Sequence, residues 1–168
     1  MAYYDFSENK KKVRKKLTPA AAKEKIAAYC AYQERCQQEV RTKLYEYQLS
    51  SDDVDELIVW LITEGFLNEE RFAQSYVRGK FRIKKWGRIK ILQGLKQKNI
   101  SEYCIKSGMK EIDPEEYWNT LCTVAEQRAS KTTAPNDYIR QQKLAQYLMS
   151  RGFETDLVWE AVKSLESR

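Results

Sequence analysis

The chain has 168 residues, with 30 Lys and Arg against 24 Asp and Glu, no His, and a formal net charge of +6. That length fits one core of ordinary size or a short row of smaller units. The missing imidazole excludes a Ser-His-Asp or Cys-His apparatus, His-ligated metal and the usual general base near neutral pH.

Apolar runs such as Leu57 to Ile62 fall far short of the roughly 20 residues of a bilayer span. The first twenty residues lack the apolar stretch of a secretory signal. A soluble, folded, intracellular protein is the expectation. Cys30, Cys36, Cys104 and Cys122 contain no C-x-x-C pair, so small buried hydrophobes account for them better than a metal site does. The six scattered glycines build neither a phosphate loop nor a dinucleotide turn. No cofactor, metal or enzymatic activity is expected.

In chain order, residues 1–17 read as a basic, flexible tail, because all but Val13 from Lys10 to Lys16 are cations and such runs stay solvated. Thr18-Pro19 then marks a helix start, a hydroxyl N-cap ahead of proline at the first helical position. Helices are expected over about 19–35, 68–84 and 114–131. Behind each comes one apolar pattern with steps of 4-5-5-4-3. The first set is Val40, Leu44, Leu49, Val54, Ile58 and Leu61. Ile91, Leu95, Ile100, Ile105, Met109 and Ile112 repeat it, and so do Leu144, Leu148, Phe153, Val158, Val162 and Leu165. A step of four keeps one helical face, and the five that follows spans a break at Gln48, Asn99 and Gly152. Asn and Gly tolerate the left-handed conformation that closes a helix. Ser50 or Ser51, Ser101 and Thr155 are placed to cap the next one.

The long helices of the later units register on Asn68/Asp113 and Phe72/Tyr117, which sets Tyr76 over Leu121 and Val77 over Cys122. The chain therefore reads as all-α, three tandem three-helix repeats (18–66, 67–112 and 113–168) stacked into an elongated, curved array.

Charge is segregated. Leu44 to Glu70 holds eight acidic residues and no basic one, while Arg71 to Ser101 holds ten basic residues and no acidic one. The acids Asp52, Asp53, Asp55, Glu56, Glu69 and Glu70 suit first helical turns. Arg78, Lys80, Arg82, Lys84, Lys85, Arg88 and Lys90, interleaved with Tyr76, Phe81 and Trp86, concentrate positive field on one stretch suited to phosphates or acidic protein surfaces. Taken singly, the aromatics read as packing more readily than as base-stacking platforms.

The order of features resembles the RecX family of recombinase regulators. Arg35-Cys36-x-x-Glu39-Val40-x-x-x-Leu44 is similar to that family's opening pattern. Gly65-Phe66-Leu67-Asn68-Glu69-Glu70-Arg71-Phe72-Ala73 matches most specifically, continued by Tyr76-Val77-Arg78, Lys80, Lys85, Gly87, Ile91, Leu95, Lys98 and Ile100. The resemblance covers about residues 24–166. Members often carry Asp-Asp at Asn68-Glu69 and Gly at Gln48 and Asn99. The basic tail lies outside the shared pattern.

The resemblance implies a non-enzymatic, cytoplasmic helical protein of DNA repair and recombination. It would bind the RecA–DNA filament along its groove and inhibit ATP hydrolysis and strand exchange. DNA alone would be bound weakly and without sequence preference, and the regulator would act as a monomer. Arg71, Tyr76, Arg78, Lys80, Arg82, Lys84, Lys85, Arg88 and Lys90 are the candidate contacts, with Phe72 and Val77 mainly core. Exposed contacts of this kind are individually weak, so only joint reversal of Arg82, Lys84, Lys85 and Arg88 is expected to abolish binding. The competing reading is a stand-alone DNA-binding module in which a helix-turn-helix pair, 87–98 and 101–111, enters a groove.

Overall fold

A computed structural model describes residues 16–166, and their side chains as far as Leu165. The basic run of the tail lies outside the described residues, apart from Lys16. Among the described residues there are nine α-helices and no strand. They are α1 (Pro19–Tyr32), α2 (Gln37–Glu46), α3 (Ser51–Thr63), α4 (Glu69–Arg78), α5 (Arg88–Gln97), α6 (Glu102–Met109), α7 (Pro114–Ala129), α8 (Asp137–Ser150) and α9 (Thr155–Glu166). A π-helical turn, Gly79–Ile83, follows α4.

Local chemistry explains most boundaries. The Thr18 hydroxyl accepts from the Ala21 amide at 3.3 Å ahead of Pro19. Ser50, Asn68, Ser101, Asp113 and Asn136 cap α3, α4, α6, α7 and α8 in the same way, each satisfying an amide the helix cannot. Thr155 departs from the expected cap. It is the first residue of α9, and its hydroxyl reaches the Met149 sulfur at 3.9 Å instead; Glu154, just ahead of the helix, stands at the cap position, its carbonyl taking the Val158 amide.

The three breaks fall where the spacing puts them, with φ of 58° at Gln48, 56° at Asn99 and 93° at Gly152. After α5, the Ile100 amide donates to the Leu95 carbonyl and the Asn99 amide to Lys96. After α8, Phe153 and Gly152 donate to Leu148 and Met149 in the same pattern. These are paired closing bonds, in which a left-handed residue turns the chain so that the next apolar side chain covers the helix just ended. Accordingly Ile100 and Phe153 are buried.

Two of the expected helices are shorter than their apolar pattern. The first ends at Tyr32, because Gln33 is extended. The second is α-helical only to Arg78, then widens by one residue so that the Lys84 amide bonds the Gly79 carbonyl. The expected register therefore holds at its start, with Asn68 and Asp113 both capping and Phe72 and Tyr117 both buried. It slips further on, where Val77 and Leu121 are buried but Tyr76 and Cys122 are half-exposed.

Contacts divide the chain into two compact units. Of the described residues, one holds 16–33 and Glu39–Leu67, the other Glu34–Gln38 and 68–166. The core of the first is Ala22, Ile26 and Cys30 of α1, Val40 and Leu44 of α2, and Val54, Leu57, Ile58 and Leu61 of α3. In the second unit, one continuous core runs from Cys36 and Phe72 through Ile91, Leu95 and Tyr117 to Leu148 and Val162. Cys30, Cys36 and Cys104 are buried within these cores, and Cys122 is half-buried. The thiols behave as small hydrophobes; burial pushes the Cys104 thiol up from its ordinary pKa.

Candidate interaction surface

The basic stretch folds into the end of α4, the π-helical turn, a short connection and the start of α5, all within the second unit. Its cations separate into two kinds. Each arginine meets a carboxylate from elsewhere in the unit. Arg71 Nε lies 2.6 Å from Glu34, Arg78 2.9 Å from Glu111, Arg82 3.4 Å from Glu116 and Arg88 3.4 Å from Glu154. The planar, fork-shaped guanidinium suits such bridging between elements. The acidic residues that balance the arginines thus come from distant positions in the chain.

The lysines are placed differently. Among the described residues, Lys80, Lys84, Lys85 and Lys90 have no carboxylate within salt-bridge distance. Lys84 and Lys85 are exposed at the connection, where Lys85 has a φ of 53°. Arg151 braces this connection by donating to the Lys84 and Lys85 carbonyls. Lys80 and Lys90 hold their ammonium groups over the Trp86 ring, at 4.7 and 4.9 Å from its centroid, and Lys80 also sits 5.2 Å from Tyr76. Trp86 and Tyr76 therefore gather cations at the surface. Phe81 is 1% exposed and belongs to the core. Of the nine candidate contacts, Lys80, Lys90 and Tyr76 gather about Trp86, Lys84 and Lys85 stand exposed on the connection beside it, and the four arginines serve as braces.

The start of α5 is closed off by the rest of the unit. Its first amides, which a helix cannot satisfy itself, donate outward: Gly87 to the Arg151 carbonyl at 2.8 Å, Ile89 to the Gly152 carbonyl at 3.0 Å and Arg88 to the Tyr117 hydroxyl at 3.1 Å. A Cβ on Gly87 would lie 2.1 Å from the Gly152 oxygen, so the two backbones meet only because this residue has none. Tyr117 in turn donates to Glu154 Oε2 at 2.5 Å, while the Arg88 guanidinium stacks on its ring at 3.9 Å. Burial, and then that bond to Glu154, hold the Tyr117 hydroxyl far above its ordinary pKa.

Two residues read in sequence only as first-turn acids do more. Glu69 accepts from the Ser101 hydroxyl at 2.6 Å and Glu70 from the Ser107 hydroxyl at 2.5 Å. They tie the start of α4 to α6. Glu154 and Arg151 carried no distinguishing sequence signal, and Tyr117 only its register with Phe72, since the partners of all three lie 29 to 67 residues away. On the proposed helix-turn-helix pair, α6 buries Cys104, Ile105 and Gly108, leaving Glu102, Tyr103, Lys106 and Lys110 outward.

Among the described residues no group of His, Cys, Asp or Glu could hold a metal ion, and no helix is long and apolar enough to cross a membrane. The braced scaffold presents lysines with no carboxylate within salt-bridge distance. With nine helices and no strand among the described residues, the protein is of the all-helical repeat class.

The chain belongs to the RecX family. Residues 68–109 match the model of the second three-helix domain of RecX, and residues 115–162 match that of the third. The regulatory protein RecX of Clostridium perfringens is 30% identical over 133 residues, 78% of this chain and 62% of the relative. That of Enterococcus faecalis is 30% identical over 137 residues, 82% of this chain and 52% of the relative. The chain thus spans only between half and two thirds of the length of those relatives. The Ralstonia pickettii protein of the same name is 28% identical and matched over 85% of its length. A crystal structure of RecX from Lactobacillus salivarius shares the fold, with a TM-score of 0.75 over 89% of this chain and 97% of that one at 24% identity. A second, of regulatory protein RecX, gives 0.74 over 87% and 71% at 26% identity.

Proposed function

We propose that this chain binds the RecA–DNA filament and restrains its ATPase and strand exchange in DNA repair and recombination. It makes or breaks no bond, needs no cofactor, and acts as a cytoplasmic monomer built of three helical repeats, 18–66, 67–112 and 113–168. Membership of a family of regulatory proteins supports the partner. The observation that carries the contact surface is the division of cations. The arginines are consumed within the scaffold, whereas Lys80, Lys84, Lys85 and Lys90 remain to meet a polyanionic filament. Arg71, Arg78, Arg82 and Arg88 then contribute by holding the lysines in place, and through whatever part of each guanidinium stays exposed.

The deciding experiment titrates this protein into the single-strand-DNA-dependent ATPase of the cognate recombinase at two salt concentrations, with binding to naked DNA measured alongside. Inhibition at levels far below those that coat the DNA, weakened by salt, is the expected result. Inhibition that only follows competition for free DNA would replace this reading with that of a DNA-binding module.

A further inference from the structure

A cleft of about 480 Å³ opens between α5 and α6, lined by none of the cluster lysines or the arginine braces. Its floor is apolar: Ile105, with Leu92 and Met109 both half-buried. Around its mouth stand Lys96, Lys106 and Lys110, with Glu102 the one carboxylate. Each lysine taken alone suits the C-terminal end of its helix, where a cation meets the negative pole of the dipole. The dipole does not explain why Leu92 and Met109 stay partly in water between them. Nor does it supply counter-charges: among the described residues none of the three lysines lies within salt-bridge distance of a carboxylate.

We propose that this cleft is a docking groove for an acidic segment of a partner protein. The segment seats apolar side chains on Leu92, Ile105 and Met109 and sets its carboxylates among Lys96, Lys106 and Lys110. The volume accommodates a pair of large side chains, as helix-in-groove recognition requires. Met109 supplies an unbranched, polarizable wall that adapts to the anchor's shape. Lysines suit carboxylates arriving on a mobile segment, since an ammonium on a flexible stem imposes little geometry. A nucleic-acid strand fits less well. Its phosphates would use the lysines, but its bases would find no aromatic face among the lining residues to stack on.

The proposal is independent of the recombinase, and so is its test. Full-length protein is titrated against a fluorescein-labelled peptide of about 15 residues with leucine and phenylalanine at helical spacing among aspartates and glutamates. The same peptide with alanine at the apolar positions and a single-stranded oligonucleotide serve as comparison probes. The expected result is anisotropy-detected binding that falls about tenfold or more with the alanine peptide and by a similar factor in the Lys106→Glu/Lys110→Glu variant. Met109→Gln should weaken it without moving the salt dependence. Should Met109→Gln unfold, the exposed lysine pair still decides. Absence of binding, equal binding of the alanine peptide, or indifference to the Lys106/Lys110 reversal overturns the proposal. Displacement of the peptide by equimolar oligonucleotide also overturns it, assigning the cleft to nucleic acid.

Discussion

The Tyr117 hydroxyl joins three segments, accepting from the first amide of α5 and donating to Glu154 ahead of α9. Tyr117→Phe keeps the ring between Phe81 and Phe153 but strands a half-buried amide. A loss of about 1–3 kcal/mol in urea unfolding is expected. The pH dependence has a definite sign. The folded protein holds this phenolic proton above the ordinary value near 10 at which the unfolded chain releases it. The folded state therefore binds more protons above about pH 10, and stability falls as pH rises through that window. Below it the contribution is complete. Urea midpoints from about pH 8 to 11 should fall more steeply in the wild type than in Tyr117→Phe; parallel curves would contradict this assignment. At Gly87, alanine would force its Cβ onto the Gly152 carbonyl, and we expect a cost of about 1–3 kcal/mol, the range of overpacking.

At the scale of elements, the helix ends follow sequence rules closely enough to be improved. Gln48 closes α2 at φ 58° with a Cβ that this region disfavours. Gln48→Gly should therefore stabilise the protein by about 0.5–1 kcal/mol, read as a higher thermal midpoint. Gly152→Ala, at φ 93° and with Lys90 Cβ 2.3 Å from the added carbon, should do the reverse. The π-helical turn is the element that apolar spacing did not reveal. Val77 and Phe81 are four apart and both buried, which a plain α-helix would satisfy as well. The widening is visible only in the bond from Lys84 to Gly79, beside a connection braced by Arg151 from far along the chain.

For the molecule as a whole, the two classes of cation predict different phenotypes. Changing Lys80, Lys84, Lys85 and Lys90 together to Gln should abolish filament inhibition and flatten its salt dependence. Unfolding should move by no more than the few tenths to 1 kcal/mol that each surface cation–π contact is worth. Changing Arg78, Arg82 and Arg88 to Gln should act chiefly on stability, since each loses an ion pair worth about 0–1 kcal/mol and Arg88 its place on the Tyr117 ring as well. If the lysine set inhibited the recombinase as strongly as the wild type, the proposed contact surface would be wrong.

The helical class, the caps at Thr18 and Ser101, and the left-handed breaks at Gln48, Asn99 and Gly152 were determined by the sequence alone. Each depends on residues within a few positions, through side chains that reach neighbouring amides or backbones that accept positive φ. The buried identity of nearly all the repeated apolar positions came from the same local periodicity. Tertiary structure alone decided which cations are free to act. Composition places ten of them in one stretch, but Glu34, Glu111, Glu116 and Glu154 reach the four arginines only once the segments that carry them pack together. Ion pairing acts over a few ångströms in space and is blind to distance along the chain. The lysine cluster, the closed start of α5 and the α5–α6 cleft therefore became visible only in the folded protein.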